Sequence, residues 1–143
     1  MSKPVYYEHV VQYYETDQMG IAHHSNYIRW FEEARIHFFD VVGMGYKESE
    51  KMGIISPVLS VEANYKNMSY FQDTVVIKVT LEDYTGVRLG LKYEITDKAT
   101  GQLRCTGKSR HCFINPEGKV ISLKKVLPDR YERLMEMAEE NDG

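Results

Sequence analysis

Asn26-Tyr27-Ile28-Arg29-Trp30-Phe31-Glu32-Glu33-Ala34-Arg35-Ile36-His37-Phe38-Phe39-Asp40-Val41-Val42 is the stretch on which the fold turns. Tyr27, Phe31, Ala34, Phe38 and Val41 recur at spacings of four, three, four and three, which draws one apolar stripe along a helix. Ile28, Trp30, Phe39 and Val42 widen the stripe, so the helix is expected to be buried on more than one side. Ser25 or Asn26 can cap its start, and Gly43 and Gly45 can end it. A short helical turn, Tyr46–Met52, should follow and stop at Gly53.

On either side of this helix the period is that of strands. Val5–Tyr14, rich in Val and Tyr, predicts a first strand. After Gly53 apolar and polar residues alternate through Ile55–Tyr65, Val75–Glu82 and Val87–Thr96, the pattern of half-buried antiparallel strands. Asp83–Gly86 and Asp97–Gly101 have hairpin chemistry between them. A last long strand, Gln102–Ile114, changes phase between Cys105 and Cys112, which a bulge near Gly107 would reconcile. A short strand is expected at Lys119–Ser122, then an amphipathic helix at Pro128–Glu139 with Tyr131, Leu134, Met135 and Ala138 inward. The fold class is therefore α+β: one antiparallel sheet of five to six strands wrapped on one long helix. Such a sheet leaves open edges, and pairing edge to edge in a homo-oligomer would close them.

Length and charge bound the function. The 143 residues suit one domain, 1–143, with no repeat or low-complexity run. A net charge of −3 argues against a domain-wide nucleic-acid footprint. No apolar run reaches the roughly 18 residues of a membrane span, and residues 1–9 lack the apolar core of a signal peptide, so a cytoplasmic protein is expected. Cys105 and Cys112, ~23 Å apart on a continuous strand, should be free thiols.

The polar residues crowd just ahead of the long helix, in Tyr14-Glu15-Thr16-Asp17-Gln18-Met19-Gly20-Ile21-Ala22-His23-His24-Ser25. A helix N-terminus offers unpaired N–H groups and about half a positive charge, which stabilises a developing oxyanion. Asp17 stands a few residues upstream of those donors. The pair suits attack on a carbonyl, with one group to supply or activate a nucleophile and another to hold the oxygen. Asp17 read on spacing alone could equally be a turn carboxylate. The His23-His24 pair lacks a third partner for a metal, and adjacent histidines are expected to point apart. His9, His37 and His111 stand in no recognisable constellation.

Asp17–Tyr27, followed by Trp30-Phe31-Glu32-Glu33-Ala34-Arg35, resembles the signature of hotdog-fold acyl-CoA thioesterases. The resemblance is to the group that includes hydroxybenzoyl-CoA thioesterase and the short-chain acyl-CoA thioesterases encoded with the bacterial Tol-Pal system. It implies a hotdog fold, dimeric or tetrameric, hydrolysing an acyl-CoA. Asp17 would be the catalytic nucleophile or general base. His24 would be catalytic through its backbone N–H, which polarises the thioester carbonyl. Gly20 would let the turn close, with Ile21 beside it. His23 stands where relatives often carry an aromatic residue, Asn26 and Tyr27 form the helix-opening pair, and Ser60 and Val61 lie where the second strand passes the acyl group. These seven would contact substrate. The resemblance implies no metal and no permanent cofactor, coenzyme A arriving as part of the substrate. An acyl-acyl carrier protein thioesterase and a catalytically silent acyl-thioester-binding hotdog are the alternatives. Outward cations at Arg88, Lys92, Arg104, Lys108 and Arg110 would either serve coenzyme A phosphates or form an ordinary charged face.

Overall fold

A computed structural model describes residues 3–139. Five antiparallel strands form one sheet: β1 (Val5–Val10), β2 (Val58–Tyr65), β3 (Thr74–Glu82), β4 (Arg88–Asp97) and β5 (Leu103–Cys112). Their order across the sheet is β1-β3-β4-β5-β2. Helix α1 (Ser25–Val41) packs on one face of the sheet against β1 and β3, α2 (Tyr46–Met52) meets α1, and α3 (Leu123–Val126) meets α4 (Pro128–Glu139), which reaches β3. The arrangement is the hotdog, an α+β fold.

The core forms where the two periods meet. Tyr27, Trp30, Phe31, Ala34 and Phe38 of α1 are buried against Val75, Ile77, Val79 and Leu81 of β3 and Leu89, Leu91, Tyr93 and Ile95 of β4. Phe31 stacks on Tyr93 with ring centroids 4.4 Å apart and planes 12° from parallel. Each such fully buried side chain contributes on the order of 1.5–3 kcal/mol of transfer free energy. The hairpins fall at 83–87 and 98–102, as expected, and α2 stops at Gly53, whose φ of 71° suits a residue without a Cβ. Both cysteines are free and buried. No helix among the described residues is long and apolar enough to cross a membrane.

Several expectations fail, each for a physical reason. Helix α1 is not buried on more than one side: Ile28, Ile36 and Val41 are exposed, because the sheet covers only one face. His24, not Ser25 or Asn26, is its N-cap, and Asn26 instead donates to the Glu15 carbonyl at 2.7 Å. Strand β1 ends at Val10, and the chain turns through a 3-10 turn at Tyr13–Glu15. Strand β2 starts at Val58 and is not half-buried; seven of its eight residues are exposed, since it is an edge strand that α1 barely reaches. The irregularity in β5 falls at Arg104, where the pairing with β4 shifts, not at Gly107, which sits opposite Tyr93 in register. That shift turns Arg104 inward to Asp73 (2.8 Å) and Asp97 (3.3 Å), so it is no outward cation. Residues 119–122 form only a single bridge, Ile114 to Val120, before α3.

Candidate active site

The polar loop is closed upon itself and clamped from outside. Thr16 and Ala22 form an antiparallel bridge, Asp17 N–H donates to the Ile21 carbonyl at 2.9 Å, and Gly20 N–H donates to the Asp17 carbonyl at 3.3 Å. Closing so short a loop demands left-handed backbone at two successive residues, Met19 (φ 73°) and Gly20 (φ 70°). Gly20 adopts it without strain and Met19 does not. Segment 69–71 then holds the loop down, with Ala22 N–H on the Ser69 carbonyl (2.8 Å) and Phe71 N–H on the Gly20 carbonyl (2.9 Å).

Glu15 fastens this loop to the helix. It is buried, and its carboxylate accepts from the Gln12 N–H (2.8 Å), His9 Nε2 (2.7 Å) and the Trp30 indole (2.9 Å). Burial would push the Glu15 carboxyl up; those donors outweigh it and hold the group below its ordinary value. The Glu15 carbonyl takes the His23 N–H (2.9 Å) and the Asn26 amide, which sets the entry angle of α1. His9 extends the brace through Nδ1 to Glu33 (2.9 Å), which also accepts from the Tyr7 hydroxyl (3.0 Å). Thus His9 does have a constellation, drawn from β1, the loop and α1. His9, Glu15 and Glu33 offer ligand-type atoms within 4.8 Å of one another, yet both imidazole nitrogens are already spent on carboxylates, so the cluster acts as a brace. Glu15 had no signal of its own in the sequence, where it was one polar residue among many.

Asp17 lies within this loop, ahead of its 3-10 turn, and His24 caps the start of α1 just beyond it. Asp17 is exposed in the single protomer, and no described group takes up its carboxylate. No described group accepts the backbone N–H of His24, at the positive end of α1. The His23 and His24 rings do not point apart: their centroids are 4.2 Å apart, with His23 Nδ1 held by Ser25 Oγ at 2.9 Å. Beside them lies a cavity of about 220 Å³ whose walls include Ile21, His24, Tyr27, Tyr65, Lys66 and Met68. Tyr65 was not foreseen; its hydroxyl donates to the His24 carbonyl (3.2 Å) and its ring meets that of Tyr27 (5.2 Å). Of the expected substrate contacts, Ile21 and Tyr27 line this cavity. Gly20, His23 and Asn26 are not among its walls, and Ser60 and Val61 sit outside it on β2.

The profile of the thioesterase-like superfamily matches residues 11–139. The chain belongs to that superfamily. Among its relatives is YneP of Bacillus subtilis (strain 168), whose name assigns it provisionally as an acyl-CoA thioesterase. It is 37% identical over 120 residues, 83% of this chain and 86% of that one. The crystal structure of a DHNA-CoA thioesterase from Staphylococcus aureus is 36% identical, with a TM-score of 0.86 over 93% of this chain and 89% of that one. A 1,4-dihydroxy-2-naphthoyl-CoA hydrolase of Prochlorococcus marinus is 26% identical over 92% of this chain and 88% of that one.

Proposed function

We propose that the protein hydrolyses acyl-CoA thioesters, with Asp17 as nucleophile or general base and the His24 N–H as donor to the thioester oxygen. The observation that carries this reading is the unspent N–H at the positive end of α1, which follows in the chain a doubly closed loop bearing an exposed carboxylate, Asp17, that no described group takes up. The carbonyl oxygen would gain negative charge as it accepts from His24, where the helix dipole favours it. Acting as base, Asp17 would take a proton from water as the water oxygen bonds to the carbonyl carbon. The C–S bond then breaks, and coenzyme A leaves as the thiol with that proton. Acting as nucleophile, Asp17 would first displace coenzyme A as the thiolate, breaking the C–S bond to form a mixed anhydride; water then opens the anhydride to the free acid and the Asp17 carboxylate, and its proton passes to the thiolate. Lys66, exposed on the cavity wall, offers charge for the phosphates of coenzyme A.

The membership and the relatives named above support the acyl-CoA reading over an acyl carrier protein substrate and over a silent binding role. Because Asp17 is exposed in one protomer, exclusion of water would come from a second copy, and a homodimer or a tetramer of such dimers follows through the open β2 edge. The test is thiol release from acyl-CoAs ranging from short aliphatic to hydroxyaryl, dihydroxynaphthoyl-CoA included. Wild type should turn over part of the panel, and Asp17→Asn should lose about 10²–10⁴-fold in kcat while keeping its fold. Turnover by Asp17→Asn above about a tenth of wild type would remove Asp17 from the chemistry.

A further inference from the structure

The imidazole of His9 meets two carboxylates at once, one on each ring nitrogen. Nε2 lies 2.7 Å from Glu15 Oε1 and Nδ1 lies 2.9 Å from Glu33 Oε1, both distances typical of charge-assisted hydrogen bonds. The three residues come from three elements: His9 from β1, Glu15 from the turn ahead of the Asp17 loop, and Glu33 from the middle of α1.

Counting hydrogens fixes the form of the ring. An ionised carboxylate can only accept, so each of the two contacts needs a hydrogen on the imidazole. Glu15 also accepts from the Gln12 N–H and the Trp30 indole, and its donors together hold it ionised. Glu33 accepts from the Tyr7 hydroxyl as well; burial, and then this carboxylate, push the Tyr7 phenol up, so it keeps its proton. The other neighbours offer no substitute. The Trp30 ring lies 5.0 Å from the imidazole, Val75 stands opposite His9 on β3, and His37 meets the Tyr7 ring at 5.7 Å. Among the described residues no other cation pairs with either carboxylate. A neutral imidazole has one N–H and would turn a lone pair on the second carboxylate at hydrogen-bond distance.

What hangs on His9 is the approach to the candidate site. The carboxylate it holds belongs to the residue whose carbonyl accepts the His23 N–H and the Asn26 amide, on either side of His24, and Asp17 follows two residues later. The loop itself resists closure, because Met19 is held in left-handed backbone at a φ of 73°, so it depends on its tethers. The His9 side chain is 10% exposed and that of Glu33 38%, which gives solvent a path to take or return the proton.

We propose that His9 is a positioning residue that holds the Asp17 loop against α1 only while both of its ring nitrogens carry hydrogen, so that thioester hydrolysis declines as rising pH removes one of them. The proposal deepens the thioesterase reading above, on which its effect on turnover rests. The proton lost passes to solvent, and β1 then lets go of either the loop or the helix.

Glu33→Gln tests it, because the amide can donate where the carboxylate could not. A neutral His9 would then accept at Nδ1 and keep its single N–H on Nε2 for Glu15, which leaves the brace whole without the extra proton. In wild type at neutral pH, two-bond nitrogen–proton spectra of the imidazoles should show His9 with hydrogen on both nitrogens. In Glu33→Gln, the Nε2–H tautomer should appear instead. From roughly pH 7 to pH 9, wild-type kcat should fall about tenfold or more while Glu33→Gln stays within about threefold of its neutral value. Over the same range the Gln12 and His23 amides, corrected for intrinsic exchange, should lose protection in wild type and keep it in Glu33→Gln. His9→Leu should lower kcat about 10- to 100-fold with KM within about threefold, and if it fails to fold Glu33→Gln carries the test. A single hydrogen on His9 in wild type at neutral pH, or parallel pH profiles for wild type and Glu33→Gln, would overturn the proposal and leave the thioesterase reading standing. A wild type inactive on the whole acyl-CoA panel would overturn that reading and the effect on turnover. The hold of His9 on the loop would then stand if the two proteins still differ in exchange and fall if they do not.

Discussion

The Trp30 indole donates to the Glu15 carboxylate at 2.9 Å, and with the Asn26 amide on the Glu15 carbonyl (2.7 Å) it ties the loop bearing Asp17 to the first turns of α1. The same carboxylate collects the Gln12 N–H and His9, so loop closure, helix entry and β1 share one buried anion.

Glu15→Gln should therefore cost more than a surface change. The amide brings two donors of its own into a site built of donors, so one of Gln12, His9 or Trp30 loses its acceptor, at about 1–3 kcal/mol. Because Glu15 is held below its ordinary carboxyl value, its contribution is present above that value and lost as pH falls through the lowered one. Urea unfolding at neutral pH should show the loss in Glu15→Gln, and acid titration should show a shallower decline than in wild type. An unchanged midpoint would mean that the loop is held by the segment 69–71 alone.

His111 gives a second acid-sensitive step at higher pH. Burial, and then the neighbouring Arg35, push its imidazole down from 6.5 to about 4, while the Pro57 carbonyl works in the opposite direction. A depressed folded value means that the unfolded chain binds the proton first. Stability is full above about 6.5 and drains as pH falls towards about 4. Wild type should lose stability between pH 7 and pH 5, roughly, and His111→Gln should flatten that slope although it starts from a lower stability. Parallel slopes for the two proteins would show that His111 stays protonated or is reached by water.

Gly107 is a packing requirement of the Phe31–Tyr93 stack. A Cβ built there would stand 2.5 Å from Phe31 Cε2 and Cζ, and 2.7 Å from the Glu62 carbonyl. Backbone on one side and a buried ring on the other leave no room to yield. Gly107→Ala should destabilise by about 1–3 kcal/mol through overpacking. Phe31→Leu, which shortens the opposing ring, should recover part of it in the double variant, and thermal or urea unfolding of the three proteins measures the coupling. Strict additivity would mean that the strand, not the ring, takes up the strain.

These residues also mark where the sequence was legible. Strands β3 and β4 could be read because Val, Ile and Leu face α1 while Lys, Glu and Thr face outward, and the sheet buries one face of each. The phase of β5 was obscured because its inward positions are Gly107, Ser109 and His111, two chosen for closeness or hydrogen bonding and one for space. Strand β2 alternates in sequence, yet alternation cannot tell a core strand from an open edge. At the candidate site, Asp17, Gly20 and His24 were readable because they are contiguous with the helix start. Glu15, Tyr65 and His9 gain their partners across 15, 41 and 24 residues of chain, and no local pattern records that.

The open edge itself yields the last prediction. Val61 lies near the centre of β2, 41% exposed, beside Glu62. In an antiparallel pair of copies related by a two-fold axis at mid-strand, Val61 stands opposite Glu62 of the second copy, and Val61→Glu would set two pairs of facing carboxylates beside the axis. Like charges facing across strands destabilise the pair, and a charge on an edge is the usual means of preventing such pairing. The variant should elute and scatter as a monomer with circular dichroism unchanged, since within one protomer this side chain carries little of the core. Thioester hydrolysis should fall with the dimer and return in part as protein concentration or salt rises, because screening at about 1 M salt shortens the reach of the repulsion to ~3 Å. A Val61→Glu protein that stays dimeric and active would place the subunit contact elsewhere, on the exposed Ile28–Ile36 face of α1 rather than on the strand.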